Sequence, residues 1–144
     1  MLIYEFSPIC ISLQETMLGN SIIPCPKEYV TYHSPQGQNI GSHGGSLIYI
    51  RHDTPHNQFQ LHSPLQAVAV QIFLQRKYTV CSLYLPPGQV FPDNDLKSLI
   101  SQLPEPFLIL GDMNGRNPLW GDLISNQIGN HLCSIIESEG KIII

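Results

Sequence analysis

Alternating and continuous runs of apolar residues divide the chain into predicted strands separated by short polar loops. Residues 66–74 and 78–85 carry the strongest strand patterns, and because only three residues separate them they predict an antiparallel hairpin. Weaker patterns predict four further strands, the last with the alternation of an edge strand: residues 9–13, 28–33, 46–52 and 58–62. Residues 107–110 form a short apolar run between Pro106 and Gly111, which predicts a strand buried on both faces.

Helical spacing of apolar residues occurs at three places along the chain. Residues 93–103 carry it most clearly, with an Asp or Asn at positions 93–95 as a candidate cap and Pro104 as the stop. Residues 129–140 are the second predicted helix, with Gly140 at its end. Residues 1–6 have the spacing of one helix face, whereas the turn-rich stretch 34–45 predicts a mobile surface loop.

The order of these elements predicts a layered α/β domain. Strands pair mostly antiparallel early in the chain, a βαβ-like unit follows, and residues 141–144 begin another strand. No internal repeat or linker divides the sequence, so we expect one domain over residues 1–144. The first helix lacks a beginning and the last strand lacks a continuation, and we therefore expect a domain truncated at both ends.

Composition restricts the kinds of partner more than it restricts the fold. The formal net charge is −4, only 7 residues are Lys or Arg, and no basic run occurs. This counts against binding nucleic acid mainly by neutralising phosphates, but it allows an enzyme that reaches phosphate through a metal ion. Cys10 and Cys81 lie in apolar runs, which predicts buried free thiols and a reducing compartment. The sequence has no secretory signal and no apolar run long enough to span a membrane, so we expect a nuclear or cytoplasmic protein that has no membrane partner. We also expect a monomer.

Polar side chains that could bind a metal ion or take part in catalysis lie where predicted strands end. Glu15 follows the strand at 9–13, Tyr84 lies near the end of 78–85, and Asp112 and Asn114 follow 107–110. Two residues apart in an extended chain, Asp112 and Asn114 are expected to point the same way. Mg²⁺ prefers carboxylate oxygens and keeps water and phosphate as its other ligands, so Glu15 with Asp112 or Asn114 is a candidate site. Taken singly, each of these residues is more often an ordinary turn, cap or packing residue.

Four motifs in order make the sequence resemble a known family. “ICISLQET” (9–16), “GGSLIYI” (44–50), “TVCSLYLPPG” (79–88) and “FLILGDMNGRNPLWG” (107–121) resemble the endonuclease/exonuclease/phosphatase superfamily. Within it, the sequence is most similar to the apurinic-type endonuclease domain of jockey-like non-LTR retrotransposons, because of Asn-Pro-Leu-Trp-Gly at 117–121. The resemblance implies a four-layer α/β/β/α sandwich, incomplete here.

The resemblance also implies roles for individual residues. Glu15 matches a metal-binding glutamate, which would hold Mg²⁺ or Mn²⁺, and Asp112 matches the aspartate that orients or deprotonates the attacking water. Asn114 and Tyr84 match groups that contact the scissile phosphate. Asn117 and Trp120 belong to the loop motif of the retrotransposon branch and are candidates for substrate binding. The implied partners are the DNA phosphodiester backbone and a reverse transcriptase domain of the same element.

Two departures lower the activity expected of this chain. The family pattern has an asparagine ahead of the first helix and a Ser-Asp-His motif beyond residue 144, and no histidine in the sequence stands in an equivalent position. His52 and His56 have metal-pair spacing, but Pro55 interrupts any helix there, so we interpret them as surface residues. A Mg²⁺-dependent endonuclease domain with weak or no nicking activity is therefore the first hypothesis.

Two other functions stay open from the sequence. The chain could be a non-catalytic remnant whose sheet serves as a binding or structural module, which its low positive charge also fits. It could also be a phosphatase or a phospholipid phosphodiesterase of the same superfamily. The Asn-Pro-Leu-Trp-Gly stretch argues against that last alternative.

Overall fold

The structure is a computed structural model, and it describes residues 2–17, 24–34, 44–89 and 91–139. Seven strands occur in this part of the chain: β1 (Cys10–Gln14), β2 (Tyr29–His33), β3 (Ser46–Arg51), β4 (His56–Phe59), β5 (Gln66–Phe73), β6 (Lys77–Tyr84) and β7 (Phe107–Asp112). Three α-helices accompany them: α1 (Leu2–Phe6), α2 (Asp93–Gln102) and α3 (Gln127–Glu139). A single 3₁₀ turn covers Pro118–Trp120.

The strands form two sheets, which we call sheet A and sheet B. Sheet A has the order β1-β3-β2 and is antiparallel throughout. Sheet B has the order β4-β5-β6-β7, and its β5–β6 pair is the hairpin that the sequence predicts. β6 and β7 are parallel, with α2 as the connection between them, which is the predicted βαβ-like unit.

Side chains that alternate along β3 show how the layers stack. Ile48 and Ile50 point toward sheet B and pack in a cluster with Val68, Val70, Ile72 and Val80. Leu47 and Tyr49 point the other way and pack with Tyr29 and with Ile3 of α1. Because successive strand residues face opposite sides, β3 contributes to two cores at once.

The opposite face of sheet B carries the largest core. Ala67, Ala69, Cys81, Leu83 and Ile109 pack there against apolar side chains of α2 and α3, namely Leu96, Leu99, Ile100, Leu103, Leu132 and Ile135. The order of layers is therefore α1, sheet A, sheet B, and then α2 with α3. The four-layer α/β/β/α prediction is confirmed, and each helix is held by a single apolar stripe.

Several local predictions were wrong at the boundaries. β4 begins at His56 rather than at residue 58, although it is an edge strand as expected. β7 is not buried on both faces, since it lies at the edge of sheet B and Leu108 is 40% exposed. Pro92 occupies the N-cap position of α2 without a side-chain cap, so positions 93–95 lie inside the helix rather than at its N-cap.

Three further sequence predictions lie partly or wholly outside the described residues. Positions 35–43 of the predicted loop, the stop at Gly140 and the strand at 141–144 are of this kind. α3 begins at Gln127, two residues before the predicted start. None of the helices in the described part of the chain is long and apolar enough to cross a membrane.

A polar cluster lies between the two sheets, near the end that carries the candidate site. Ser82 of β6 is fully buried, and its hydroxyl is hydrogen-bonded to Ser12 (2.8 Å) and Ser46 (2.6 Å) of sheet A. Gln14 Nε2 donates to both Ser12 and Ser82, at 2.7 and 3.0 Å. A buried polar network of this kind favours one relative position of the packed layers, since any other position leaves its members unpaired.

Candidate active site

Three of the predicted site residues meet where strands of both sheets end. Tyr84 and Asp112 are the last residues of β6 and β7, and the parallel register places them side by side. Glu15 directly follows β1, which lies opposite β6 and β7 in the other sheet. Residues far apart in sequence are thus brought to one edge of the molecule by strand register and sheet packing.

Tyr84 connects the two sheets at this edge. Its hydroxyl donates a hydrogen bond to Glu15 Oε1 at 2.7 Å, and only 5% of the residue is exposed. This hydrogen bond, followed by burial and by the negative charges of Glu15 and Asp112, raises the pKa of Tyr84 to about 12. Tyr84 is therefore protonated at neutral pH, and it can act as a hydrogen-bond donor but not as a base.

Asp112 and Asn114 are fixed to the end of β6 by a set of backbone contacts. Leu85 N–H donates to Asp112 O at 3.0 Å, and Asn114 Nδ2 donates to Leu85 O at 3.0 Å. Asn114 N–H in turn donates to Asp112 Oδ1 at 3.1 Å. The prediction that both side chains point the same way assumed an extended chain, but Asn114 has a φ of 47° and the chain turns there.

Positive φ angles are concentrated around this edge. Glu15 has a φ of 52°, Met17 of 48° and Asn114 of 47°, and none of them is glycine. Asparagine tolerates this left-handed region, whereas Glu and Met adopt it at a cost that the surrounding structure must offset. Such conformations cluster at functional sites, which is consistent with a constrained arrangement of Glu15.

The segment after Glu15 is held in place by β5. Gln66 lies opposite Tyr84 in the β5–β6 register, and its side-chain oxygen accepts a hydrogen bond from Gly45 N. Met17 N–H donates to Gly44 O at 2.8 Å, which ties the Glu15 segment to the same stretch. At Gly45 a Cβ would lie 2.4 Å from Thr16 Oγ1, so this close approach requires glycine.

The two carboxylates fit a magnesium-type cation better than a transition metal. Glu15 and Asp112 are exposed, and neither takes part in a salt bridge within the described residues. In that same part of the chain, no group of three or more His, Cys, Asp or Glu side chains could hold a metal ion. Mg²⁺ binds through one or two carboxylates plus water and phosphate, so a pair of acids satisfies its requirements.

Asn117 and Trp120 belong to a loop beside this edge, and the structure gives them different surroundings. Asn117 is buried; its Oδ1 accepts from Leu119 N at 2.9 Å and its Nδ2 donates to Asn130 Oδ1 at 3.3 Å. These contacts make Asn117 a residue that shapes the loop. Trp120 is 40% exposed while its indole N–H donates to Gly115 O at 3.0 Å, so its ring is fixed and accessible.

Sequence reasoning missed Asn126, which contacts the site from the N-terminus of α3. Its side-chain Nδ2 donates to Asn114 O at 2.7 Å, and its Oδ1 accepts from Gly129 N at 2.8 Å. An asparagine immediately before an amphipathic segment is a recognisable helix-cap signal. The signal was overlooked because the helix was predicted to begin at residue 129 rather than at Gln127.

Comparison with known proteins finds similar sequences and a similar fold. A protein-family model described as endonuclease-reverse transcriptase matches residues 78–144. The RNA-directed DNA polymerase from mobile element jockey of Drosophila melanogaster is 30% identical over 113 residues, which are 75% of this chain and 12% of that protein. A probable RNA-directed DNA polymerase from transposon X-element of the same organism is 27% identical over 132 residues, which are 86% of this chain and 14% of that protein.

A solved structure shares the fold. The endonuclease domain of TRAS1, a telomere-specific non-LTR retrotransposon, superposes with a TM-score of 0.75 at 18% identity, over 96% of this chain and 63% of that one. The chain thus spans about an eighth of the length of the curated relatives it matches. Together these matches confirm the predicted resemblance: the chain has the fold of the TRAS1 endonuclease domain, and its sequence is similar to RNA-directed DNA polymerases of mobile elements.

Proposed function

We propose that this domain binds the phosphodiester backbone of DNA at the edge formed by Glu15, Tyr84, Asp112 and Asn114, with Mg²⁺ as its cofactor. The observation that carries the proposal is the 2.7 Å hydrogen bond between Tyr84 and Glu15, which joins a carboxylate of one sheet to a phenol of the other. Asp112 lies next to Tyr84 in the strand register. No structural requirement of the sheets explains two exposed carboxylates gathered around a buried tyrosine.

The acids of the site are the groups suited to hold the cation. Glu15 retains Oε2 and further lone pairs beyond the one used by Tyr84, and Asp112 retains Oδ2 beyond the contact with Asn114 N. Mg²⁺, or Mn²⁺ in its place, supplies positive charge at a phosphate where negative charge develops during hydrolysis. The family to which the domain is related is usually metal-dependent.

The remaining groups of the site have complementary roles toward a phosphate. Tyr84 stays protonated at neutral pH, so its hydroxyl can donate a hydrogen bond to a phosphate oxygen or to Glu15. Asn114 uses one Nδ2 proton for Leu85 O, which leaves the second for the substrate. Asp112 is an exposed carboxylate at a rigid strand end, placed to orient an attacking water and to accept its proton.

Calorimetric titration with Mg²⁺ tests the metal assignment. The wild-type protein binds Mg²⁺, and Glu15→Gln abolishes the binding because it removes the charge but keeps the size of the side chain. Glu28→Gln is the matched control, since Glu28 is also exposed but lies at the start of β2, away from Tyr84. Equal Mg²⁺ affinity in the wild type and in Glu15→Gln contradicts the proposal.

A supercoiled-plasmid assay with Mg²⁺ tests the catalytic step. We expect weak or no nicking, because no histidine of the described residues joins Glu15 and Asp112 at this edge to act as a further proton donor or acceptor. Any nicking that occurs is expected to disappear in Asp112→Ala, which removes the water-orienting carboxylate. Robust nicking that persists in Asp112→Ala would place the chemistry elsewhere.

Trp120 provides a direct probe of DNA contact, since it is the only tryptophan of the chain. Its partly exposed ring lies in the loop that follows Asn114, so we propose that it stacks on or packs against DNA near the scissile phosphate. Adding duplex DNA with Mg²⁺ is expected to quench the tryptophan fluorescence. Unchanged emission at DNA concentrations that saturate binding shows that the loop does not contact the nucleic acid.

We further propose that the domain acts with a reverse transcriptase of the same element. The two curated relatives carry that activity in their names, and each is several times longer than this chain. DNA nicked by an endonuclease presents a 3′ end, which an RNA-directed polymerase requires as a primer. A nick with a 3′-phosphate instead of a 3′-hydroxyl would exclude this partnership.

A non-catalytic binding module is the second candidate. The loop after the site exposes several large apolar side chains, which is typical of a surface that binds a partner: Leu119, Trp120, Leu123 and Ile124. This candidate predicts a cooperatively folded domain with no Mg²⁺ affinity and no Mg²⁺-dependent DNA binding. The calorimetric titration above therefore separates the two.

A further inference from the structure

Asn126 uses every polar atom of its side chain in contacts around the candidate site. Oδ1 accepts hydrogen bonds from Arg116 N at 2.9 Å and Gly129 N at 2.8 Å, while Nδ2 donates to Asn114 O at 2.7 Å. The amide orientation is fixed by these partners, because two N–H groups face the oxygen and a carbonyl faces the nitrogen.

The three side-chain hydrogen bonds have three separable purposes. The bond from Gly129 N caps α3, and the bond from Arg116 N, together with Asn126 N–H donating to Arg116 O at 3.0 Å, closes the loop between residues 116 and 126. Both of these use Oδ1 or backbone atoms. The bond to Asn114 O alone uses Nδ2, and it reaches the residue whose φ is 47°.

The conformation of Asn114 determines how its own groups are directed. Its N–H donates to Asp112 Oδ1 and its Nδ2 donates to Leu85 O, and both contacts depend on the left-handed turn at this residue. A backbone in that region is held only when its surroundings over-determine it. The Asn126 amide supplies one such restraint, from a helix packed on the core of sheet B through Leu132 and Ile135.

We propose that Asn126 is a positioning residue that acts through Asn114, on the condition that the proposed phosphate-binding function is correct. Its Nδ2–H bond holds the Asn114 carbonyl and so keeps the Asn114 amide and the Asp112 carboxylate directed toward the substrate. Asn126 itself does not contact the phosphate. The site is thereby attached to α3 as well as to the two strand ends.

Asn126→Asp separates positioning from helix capping. An aspartate is as good an N-cap as an asparagine, so the bonds to Gly129 N and Arg116 N are retained. It has no proton to donate to Asn114 O, and its oxygen would instead face that carbonyl at the distance of the lost bond. The helix is therefore expected to stay folded while the Asn114 restraint is lost.

The primary measurement is the affinity of labelled duplex DNA in the presence of Mg²⁺. We expect Asn126→Asp to weaken binding by up to about tenfold, as for the loss of one hydrogen bond between neutral groups. Asn130→Asp is the matched control; it introduces the same charge four residues further along α3 and keeps the oxygen that Asn117 contacts. If the control weakens binding as much, the effect is one of charge and the proposal is overturned.

A double-mutant cycle tests whether the effect passes through Asn114. In an Asn114→Ala background, Asn126→Asp is expected to cause a smaller further loss of affinity, because the Asn114 amide that it positions is already absent and only its effect on Asp112 remains. Losses that multiply independently would mean that Asn126 acts by another route, which overturns the proposal. Asn126→Ala, which removes the cap as well, is expected to lower the thermal midpoint in addition to the affinity.

NMR spectroscopy tests the positioning role of Asn126 separately from the proposed DNA-binding function. In Asn126→Asp, the backbone and side-chain amide signals of Asn114 are expected to shift while the Cα shifts of α3 stay helical. If the wild type shows no Mg²⁺-dependent DNA affinity but Asn114 responds as expected, the proposed function fails and the structural coupling stands. If the Asn114 signals do not move, the positioning claim fails whatever the DNA result.

Discussion

The residue that most constrains the chemistry of the site is Tyr84. It is almost fully buried, yet its hydroxyl reaches a carboxylate on the opposite sheet. A phenol that donates to Glu15 and lies near Asp112 resists ionisation, because the tyrosinate anion would be close to two negative charges. The same environment that excludes Tyr84 as a base keeps it a hydrogen-bond donor, which is the role proposed for it toward phosphate.

The pKa of Tyr84 predicts a pH dependence of stability. Since its folded pKa of about 12 lies above the ordinary tyrosine value of 10.0, its contribution is complete below about pH 10 and is lost as the pH rises through about 12. In Tyr84→Phe, the free energy of unfolding is expected to decrease less steeply between about pH 10 and about pH 12. Urea denaturation at a series of pH values measures it.

Ultraviolet titration provides the complementary measurement at Glu15. The difference between wild type and Tyr84→Phe isolates one of the 6 tyrosines. Glu15→Gln is expected to lower the pKa of Tyr84 toward its ordinary value, because the hydrogen bond to Glu15 is the largest cause of the shift. An unchanged Tyr84 titration in Glu15→Gln would show that the contact between them is not formed in solution.

Among the secondary-structure elements, the β6–β7 pair determines where the Asp112 carboxylate lies. The two strands are parallel, and Gly111 is paired with Leu83 one position before Tyr84 and Asp112. A Cβ on Gly111 would lie 1.8 Å from Leu83 O, so the backbones approach too closely for any side chain. This glycine is therefore required by packing, whereas its position in the motif suggested only an exit from a strand.

Gly111→Ala is expected to destabilise the domain by about 1–3 kcal/mol or more, because β6 and β7 must separate to admit the methyl group. It should also weaken Mg²⁺ binding, since Asp112 moves with the strand. Urea denaturation and calorimetry measure the two effects. Asp112→Asn on the same strand adds no atoms at the contact and keeps the oxygen that accepts from Asn114 N, so it serves as the control for stability, with a change within about 0.5 kcal/mol.

For the molecule as a whole, the packing of sheet A on sheet B decides whether the site exists. The apolar residues between the sheets, such as Ile50 and Val70, favour contact but allow some sliding. The cluster of Ser12, Gln14, Ser46 and Ser82 satisfies its hydrogen bonds in one relative position of the sheets. Because Gln14 directly precedes Glu15, that position also brings Glu15 to Tyr84.

Ser82→Ala is expected to cost about 1–3 kcal/mol of the free energy of unfolding, because it leaves buried polar partners unpaired. Ser98→Ala, at an exposed position on α2, is the control and should change stability by no more than about 0.5 kcal/mol. Chemical denaturation measures both variants. A Ser82→Ala protein as stable as the wild type would show that the apolar contacts alone fix the packing of the sheets.

Prediction from the sequence succeeded where the pattern is local. The β5–β6 hairpin, the existence of α2 and the fold class followed from periodicity and motif order. Boundaries were less accurate, as at β4 and at the start of α3, because apolar spacing does not mark where hydrogen bonding begins. The edge position of β7 also escaped prediction, since an apolar run carries no information about how many neighbours a strand has.

The sequence by itself determined which residue types stand at the ends of strands, and its motifs indicated the family. The amino-acid sequence alone placed four residues next to predicted strand ends: Glu15, Tyr84, Asp112 and Asn114. Only the tertiary structure decided that Tyr84 bonds to Glu15 across the sheets, that Asn114 turns, and that Asn126 holds it. The physical reason is that periodicity along a chain reports the face on which a side chain lies, whereas contacts between sheets depend on register and packing that no single segment encodes.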